Sequence, residues 1–279
     1  MAELLEPFQY GFIQRALAGA LLVALVCGTI GVFVVLRGLA FLGDAIAHAA
    51  FPGVVLAFLL RIDLVIGGTI AAVAGALGMG ALARRTGLRE DTAIGVVFSG
   101  MFAFGIVLFS GITRYTGDLL GVLLGNVLGI DERQLLVIAG VTAAILAVLW
   151  MLWKELVFVS FDPTGAAAAG LRVTLYDALL LGLIGLAIAV SVQVVGIVLV
   201  VAMLVTPAAT ARLVARDLRS MVALSLAFAF AAAVAGIYAS YYLNSASGGT
   251  IVLAATTIFG LVWLARGAVL QVRTLPAAR

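Results

Sequence analysis

The sequence predicts an all-α bundle of membrane-spanning helices, and three observations carry that prediction. Hydrophobic residues make up 65% of the 279-residue chain and charged residues only 10%, and the mean hydropathy is +1.29. A soluble domain is about half apolar and a quarter charged, so this composition belongs in lipid. The apolar residues also gather into runs of about 20, the length an α-helix needs to cross a bilayer at about 1.5 Å per residue. Such runs leave no room for a separate soluble domain, and residues 1–279 are expected to form one membrane domain.

The chain opens with "MAELLEPFQYGF", which is acidic and lacks a small-residue cleavage site, so the first apolar run is expected to be a retained span. Runs bounded by charges or turn residues follow at Ala16–Leu36, Ala45–Leu60, Leu64–Ala83, Thr92–Ile112, Leu135–Trp153, Met221–Leu243 and Thr250–Ala265. The stretch Ala178–Ala211 is too long for one ordinary span, and "SVQVVG" at Ser191–Gly196 places polar and glycine residues where a turn fits. Two helices there make nine spans; an unbroken one makes eight. The segment "TGDLLGVLLGNVLGID", Thr116–Asp131, is short and glycine-rich, and reads as a short helix on the outer side.

Basic residues set the expected orientation. Placing the loops with Arg84, Arg85 and Arg89, with Arg212, Arg216 and Arg219, and the C-terminal tail inside puts 12 of the 16 lysines and arginines there, with Arg37, Lys154 and Arg172. Arg15, Arg61, Arg114 and Arg133 fall outside. The positive-inside bias then gives an outer N-terminus and a cytoplasmic C-terminus. The same clustering between apolar runs argues against nucleic acid as a partner, despite the net charge of +3.

Chemistry is sparse. Cys27 is the only cysteine, which excludes an intrachain disulfide and a cysteine metal cluster. His48 is the only histidine, so neither a histidine-activated nucleophile elsewhere nor an H-E-x-x-H zinc motif is available. Nor is there a glycine-rich phosphate loop, so any ATP-driven activity needs a second polypeptide, and no permanently bound cofactor is expected.

One pair stands out in "FLGDAIAHAAFPG". Asp44 and His48 are four apart and share a helical face. Carboxylate oxygen and imidazole nitrogen suit zinc, manganese and ferrous iron, and an ionisable residue within a span is by default a functional candidate. An equally open reading makes Asp44 the N-cap of a helix starting at Ala45, with His48 hydrogen-bonded to a neighbour.

Two further segments bear on mechanism. In "SFDPTGAAAAGLRV", Ser160–Val173, Asp162 can cap a short helix, Pro163 can take its first position and Gly170 can end it. That predicts a surface helix between two spans, whose shape suits docking into a partner's groove. In "VVAMLVTPAATARL", Thr206 and Pro207 interrupt a helical run. A kink is expected there, either as simple packing or with freed carbonyls lining a cavity.

Five stretches in order, "GVFVVLRGLAFLGDAIAHAAFPGVVLAFLL", "REDTAIGVVFSGMFAFGIVL", "LLGNVLGI", "FDPTGAAAAGLRV" and "VGIVLVVAMLVTPAATARL", resemble the signatures of the zinc, manganese and iron permease family of bacterial ABC transporters. The resemblance runs from Gly31 to Leu213. It implies a type II ABC importer permease in the bacterial plasma membrane: a homodimer around a central pathway, bound to a cytoplasmic ATPase dimer and fed by an extracytoplasmic metal-binding protein. It further implies that Asp44 and His48 contact metal, that Asp162 to Gly170 form the ATPase-coupling loop, and that Thr206 and Pro207 belong to the pathway helix. Thr164 departs from the pattern, which often has an acidic residue after the proline.

The expected function is ATP-driven import of a divalent transition metal ion by alternating access. Four ligands across a dimer suit transit rather than storage, and acid should weaken transport because ligands must be deprotonated. The rivals are an ABC permease for a metal chelate such as a siderophore or cobalamin, a secondary metal transporter, and a non-transporting membrane protein. A secondary transporter needs acidic groups spread through its spans, and Asp44 stands almost alone away from helix ends.

Overall fold

A computed structural model describes residues 9–112 and 129–274, and their ordered structure is helical. The expected outer helix over 116–131 and the "LLGNVLGI" motif fall almost entirely outside the described residues. The helices, in chain order, are α1 (Gly11–Leu36), α2 (Ala40–Ala49), α3 (Phe51–Leu60), α4 (Leu64–Thr86), α5 (Glu90–Ser110), α6 (Glu132–Met151), α7 (Trp153–Phe161), α8 (Pro163–Ala168), α9 (Val173–Val214), α10 (Leu218–Leu243) and α11 (Ser247–Thr274).

Helix ends follow from local chemistry. Asp63, Asp131 and Asp217 cap α4, α6 and α10 by accepting backbone N–H groups. Hydrogen bonding from Ser220 holds the Asp217 carboxyl below the usual carboxylate range. The α1–α2 connection turns at Gly38, whose φ of +72° lies in the left-handed region that glycine enters without strain. Between α2 and α3, Ala50 keeps helical dihedrals, and Ala40–Leu60 is long and apolar enough to span. Pro52 has no N–H to offer the His48 carbonyl, which marks the junction.

The long run after Asp177 resolves into two arms. Within α9, Gly196 has φ 78° and ψ 167°, a conformation open essentially to glycine alone. The Arg37 guanidinium meets Asp177, near the start of α9, at 2.8 Å. Near the end of α9, Arg212 Nη1 donates to the Val35 carbonyl at 3.1 Å. An unbroken helix would hold Asp177 and Arg212 about 50 Å apart at ~1.5 Å per residue, so the chain reverses at Gly196. This bears out the break read at Ser191–Gly196. Among the described residues eight helices are long and apolar enough to span, Val173–Val192 one of them, and the returning arm Leu199–Val214 is a shorter apolar helix.

Two corrections follow. The kink expected at Pro207 does not show in the dihedrals: within α9 non-helical values occur at Gly196, and the second arm runs through Pro207 as helix. Nor does Asp44 cap a helix: α2 starts at Ala40, because the turn at Gly38 is already closed and Ala40–Leu42 favour helix over an extra loop. Asp44 therefore lies inside the span.

The bundle has two distinguishable ends. Arg37, Asp177, Glu90 and Arg84 line a small cavity at one of them. At the other, Arg15 Nε donates to the Ile130 carbonyl at 3.1 Å, Asp63 and Asp131 border a pocket with Ile130, and the Tyr10 and Tyr241 rings are 6.3 Å apart. Lipid offers little hydrophobic drive for helices to associate, so small residues and close packing must hold the bundle. A Cβ on Gly31 would strike the Leu204 carbonyl, and Gly53 and Gly67 each press on the other's carbonyl across α3 and α4. The second arm of α9 thus lies directly on α1, with Leu204 and Met203 fully buried.

Candidate functional site

Asp44 and His48 project from one face of α2, as their spacing predicts. Their side chains are 38% and 30% exposed, so the pair opens onto the surface of the single chain rather than into its core. His48 Nδ1 lies 2.9 Å from the Asp44 main-chain carbonyl and 3.5 Å from Asp44 Oδ1. The imidazole also packs on α5, where the Phe98 and Phe102 ring centroids each stand 5.6 Å from it with their planes nearly perpendicular. Those two phenyl rings are stacked on each other at 5.9 Å.

The surroundings explain why this pair can persist in a span. Small residues bring α2 close to its neighbours: Gly43 sits under Leu204, and Gly75 of α4 lies against Ala49 and Met101. Behind the pair the helix is fully buried at Ala45, Ala47 and Ala49, which fixes the face that Asp44 and His48 present. On α5, next to the phenyl pair, Ser99 and Gly100 are exposed, and a Cβ on Gly95 or Gly100 would meet nothing. α5 thus carries a strip of small, uncovered surface next to its phenyl pair.

Among the described residues no group of three or more histidine, cysteine, aspartate or glutamate side chains converges as a metal site. One chain offers an oxygen and a nitrogen ligand, short of the four or more that hold a divalent transition metal firmly. The second reading of the pair, in which His48 bonds a neighbour, is also met in part, because its Nδ1 is engaged by the Asp44 carbonyl.

The predicted surface helix forms as α8. Asp162 Oδ1 accepts the Gly165 N–H at 2.8 Å, Pro163 takes the first position, and Gly170 follows the helix at φ +86°. Its buried contact is Ala166, while Asp162, Pro163 and Thr164 are exposed. α8 runs directly into α9, whose Asp177 is bound to Arg37, so it sits at the arginine-rich end.

Thr206 and Pro207 lie on the second arm of α9, half-buried and buried respectively. The Thr206 carbonyl accepts Thr210 Oγ1 at 2.7 Å. No hydrogen bond among the described residues draws them to Asp44 or His48; they back the ligand helix through Leu204, which rests on Gly43.

Two arrangements escaped the sequence reading. The Arg37–Asp177 pair, with Glu90 4.0 Å from the same guanidinium, ties the α1–α2 turn to the starts of α5 and α9. Its signal was Asp177 itself, a charge one turn into an apolar helix. The Phe98–Phe102 pair was visible as aromatics four apart, but nothing local says that they meet His48.

A polytopic helical membrane protein with an aspartate–histidine pair on an intramembrane helix and a capped surface helix between spans is the class that these features define. The model of the ABC 3 transport family matches residues 9–266, and the chain belongs to that family. It is 42% identical over 258 residues to the manganese transport system membrane protein MntC of Halalkalibacterium halodurans, covering 92% of this chain and 88% of that one. It is 40% identical over 257 residues to the chelated iron transport system membrane protein YfeD of Yersinia pestis, covering 91% and 85%. Among solved structures it is similar to PsaBC from Streptococcus pneumoniae in complex with Fab, with a TM-score of 0.82, 39% identity, and 94% and 95% of the two chains covered.

Proposed function

We propose that this chain is the membrane subunit of an ATP-driven importer of divalent transition metal ions, with Asp44 and His48 as the pair that hands the ion across the bilayer. The observation that carries this reading is the pair itself: two metal-binding side chains on one face of a spanning helix, partly exposed, with too few ligands to retain an ion. Two copies related by a two-fold axis would bring four ligands together. The uncovered strip beside the phenyl pair on α5 supports such an approach.

In this mechanism α8 docks on a cytoplasmic ATPase, ATP binding and hydrolysis displace it, and the spans open first to one side and then to the other. The concentration of arginine at the α8 end supports a cytoplasmic placement of that end, an outer N-terminus and a cytoplasmic C-terminus. An extracytoplasmic binding protein would deliver the ion to the opposite end. Manganese and iron are the metals in the names of relatives, and zinc shares their ligand chemistry. A bare ion fits the donor pair better than a chelate, whose metal is already ligated.

Uptake competition among Mn²⁺, Fe²⁺ and Zn²⁺, in vesicles holding the chain with its ATPase and binding protein, tests the proposal. ATP-dependent accumulation of at least one of them is expected. Accumulation of a siderophore chelate but of no bare ion would overturn it.

A further inference from the structure

The contacts around His48 determine which of its nitrogens faces an incoming ion. A main-chain carbonyl can only accept a hydrogen bond, so the 2.9 Å contact between Nδ1 and the Asp44 carbonyl requires the proton on Nδ1. A neutral imidazole carries one N–H, which leaves the lone pair on Nε2. Asp44 Oδ1, 3.5 Å from Nδ1, stands on the proton-bearing edge of the ring and favours the same tautomer. This is the arrangement by which metal-binding histidines are commonly oriented and made more basic: the far nitrogen donates to a carbonyl or carboxylate.

The hydrogen bond at Nδ1 holds one edge of the ring only, against rotation about its Cβ–Cγ bond. Phe98 and Phe102 add to that restraint. They lie one turn apart on α5, stacked with an interplanar angle of 13°, and meet the imidazole at 85° and 82°. Phe41 and Phe51 brace them in turn, with ring centroids 6.4 Å from Phe98 and 5.9 Å from Phe102. Turning the imidazole over would break the Asp44 bond, and on the way the ring would have to sweep past the two phenyl rings packed on it.

We propose that Phe98 and Phe102 are positioning residues that lock His48 as the Nδ1–H tautomer, so that Nε2 is the atom presented to the metal. The proposal rests on the transit role of Asp44 and His48 and adds the atom and the clamp. In this arrangement Asp44 orients the ring through its main chain, and its second carboxylate oxygen stays open to the ion.

The chain has one histidine, so histidine-selective ¹⁵N labelling of the full chain, without a histidine tag, in lipid nanodiscs reports this ring alone. With the ring neutral, the expected spectrum shows one protonated nitrogen, Nδ1, and one bare nitrogen, Nε2. Zn²⁺, as a diamagnetic probe, should shift Nε2 and leave Nδ1 protonated. Phe98→Leu and Phe102→Leu should each give a mixture of tautomers and weaken Zn²⁺ binding by about tenfold, the scale of loss when a ligand's orienting contacts go. Phe98→Tyr and Phe102→Tyr, which keep a ring in place, should restore a single tautomer. A wild-type ring protonated on Nε2, a Zn²⁺ shift at Nδ1, or leucine variants with an unmixed tautomer and unchanged affinity would overturn the proposal. Zn²⁺ that moves neither nitrogen, in a ring that is correctly protonated on Nδ1, would instead overturn the transit reading.

Discussion

Arg37 Nη1 lies 2.8 Å from Asp177 Oδ1, joining the turn that precedes the Asp44 helix to the first turns of the helix that follows α8. Both side chains are largely buried, at 14% and 17% exposure. A buried pair of this kind is weak support for stability, because its attraction is spent on desolvation, but removing one partner leaves an uncompensated charge. Its value here is connection: it ties the turn before the Asp44 helix to the start of α9, the helix that follows α8.

Arg37→Ala or Asp177→Ala should therefore destabilise the folded chain by about 3–5 kcal/mol. Each should also lower metal uptake per ATP hydrolysed. Exchanging the charges, Arg37→Asp with Asp177→Arg, should recover part of both losses. Thermal unfolding in detergent and parallel uptake and ATPase assays read these outcomes; a double exchange no better than the worse single variant would show that the pair does not act as a unit.

The reversal at Gly196 makes a sharper demand on the backbone. Its φ of 78° and ψ of 167° are costly for any residue with a Cβ, on the order of 1–3 kcal/mol. Gly196→Ala should lower the unfolding temperature and the yield of folded protein. Gly140→Ala is the control: Gly140 lies inside helix α6, where a Cβ would meet nothing, and alanine there should be neutral or gain up to about 1 kcal/mol.

Close packing of α3 on α4 leads to a third expectation. Because Gly53 and Gly67 press on each other's carbonyls, alanine at either position must push the two helices apart, at a cost of about 1–3 kcal/mol. The strain reaches the site, since Gly53 is next to the Phe51–Pro52 junction that packs on Gly105 of α5. Gly53→Ala should weaken metal binding as well as stability, whereas Gly249→Ala, at an open position, should change neither.

In the proposed mechanism Asp162 separates coupling from binding. Its carboxylate caps α8 far along the chain from the ligand pair, so Asp162→Ala should fray α8 and reduce both copurification of the ATPase and ATP-dependent uptake. Equilibrium binding of Mn²⁺ should stay at the wild-type level. Lost Mn²⁺ binding would place α8 in the ion site instead.

Much of this architecture was legible in local sequence, because spans, caps and same-face spacing depend on residues within a few positions of one another. Asp162, Pro163 and Gly170 announced α8, and the i, i+4 spacing of Asp44 and His48 announced their common face. What stayed hidden depends on distant segments. The start of α2 was misplaced because an aspartate before an apolar run looks like a cap, whereas the turn at Gly38 had already begun the helix. Pro207 signalled a kink by residue type, but the dihedrals there stay helical, and the break falls at Gly196, within the stretch Ser191–Gly196 where glycine and polar residues had pointed to a turn. The wall of Phe98 and Phe102 is set by how α5 packs on α2, and no local pattern encodes that.

The central claim is that an ion passes through Asp44 and His48. ATP-dependent Mn²⁺ uptake into vesicles containing the assembled transporter, compared among wild type, Asp44→Ala and His48→Ala, tests it most directly. The account predicts that each variant assembles and hydrolyses ATP yet loses most of its uptake; uptake unchanged in both variants would contradict it.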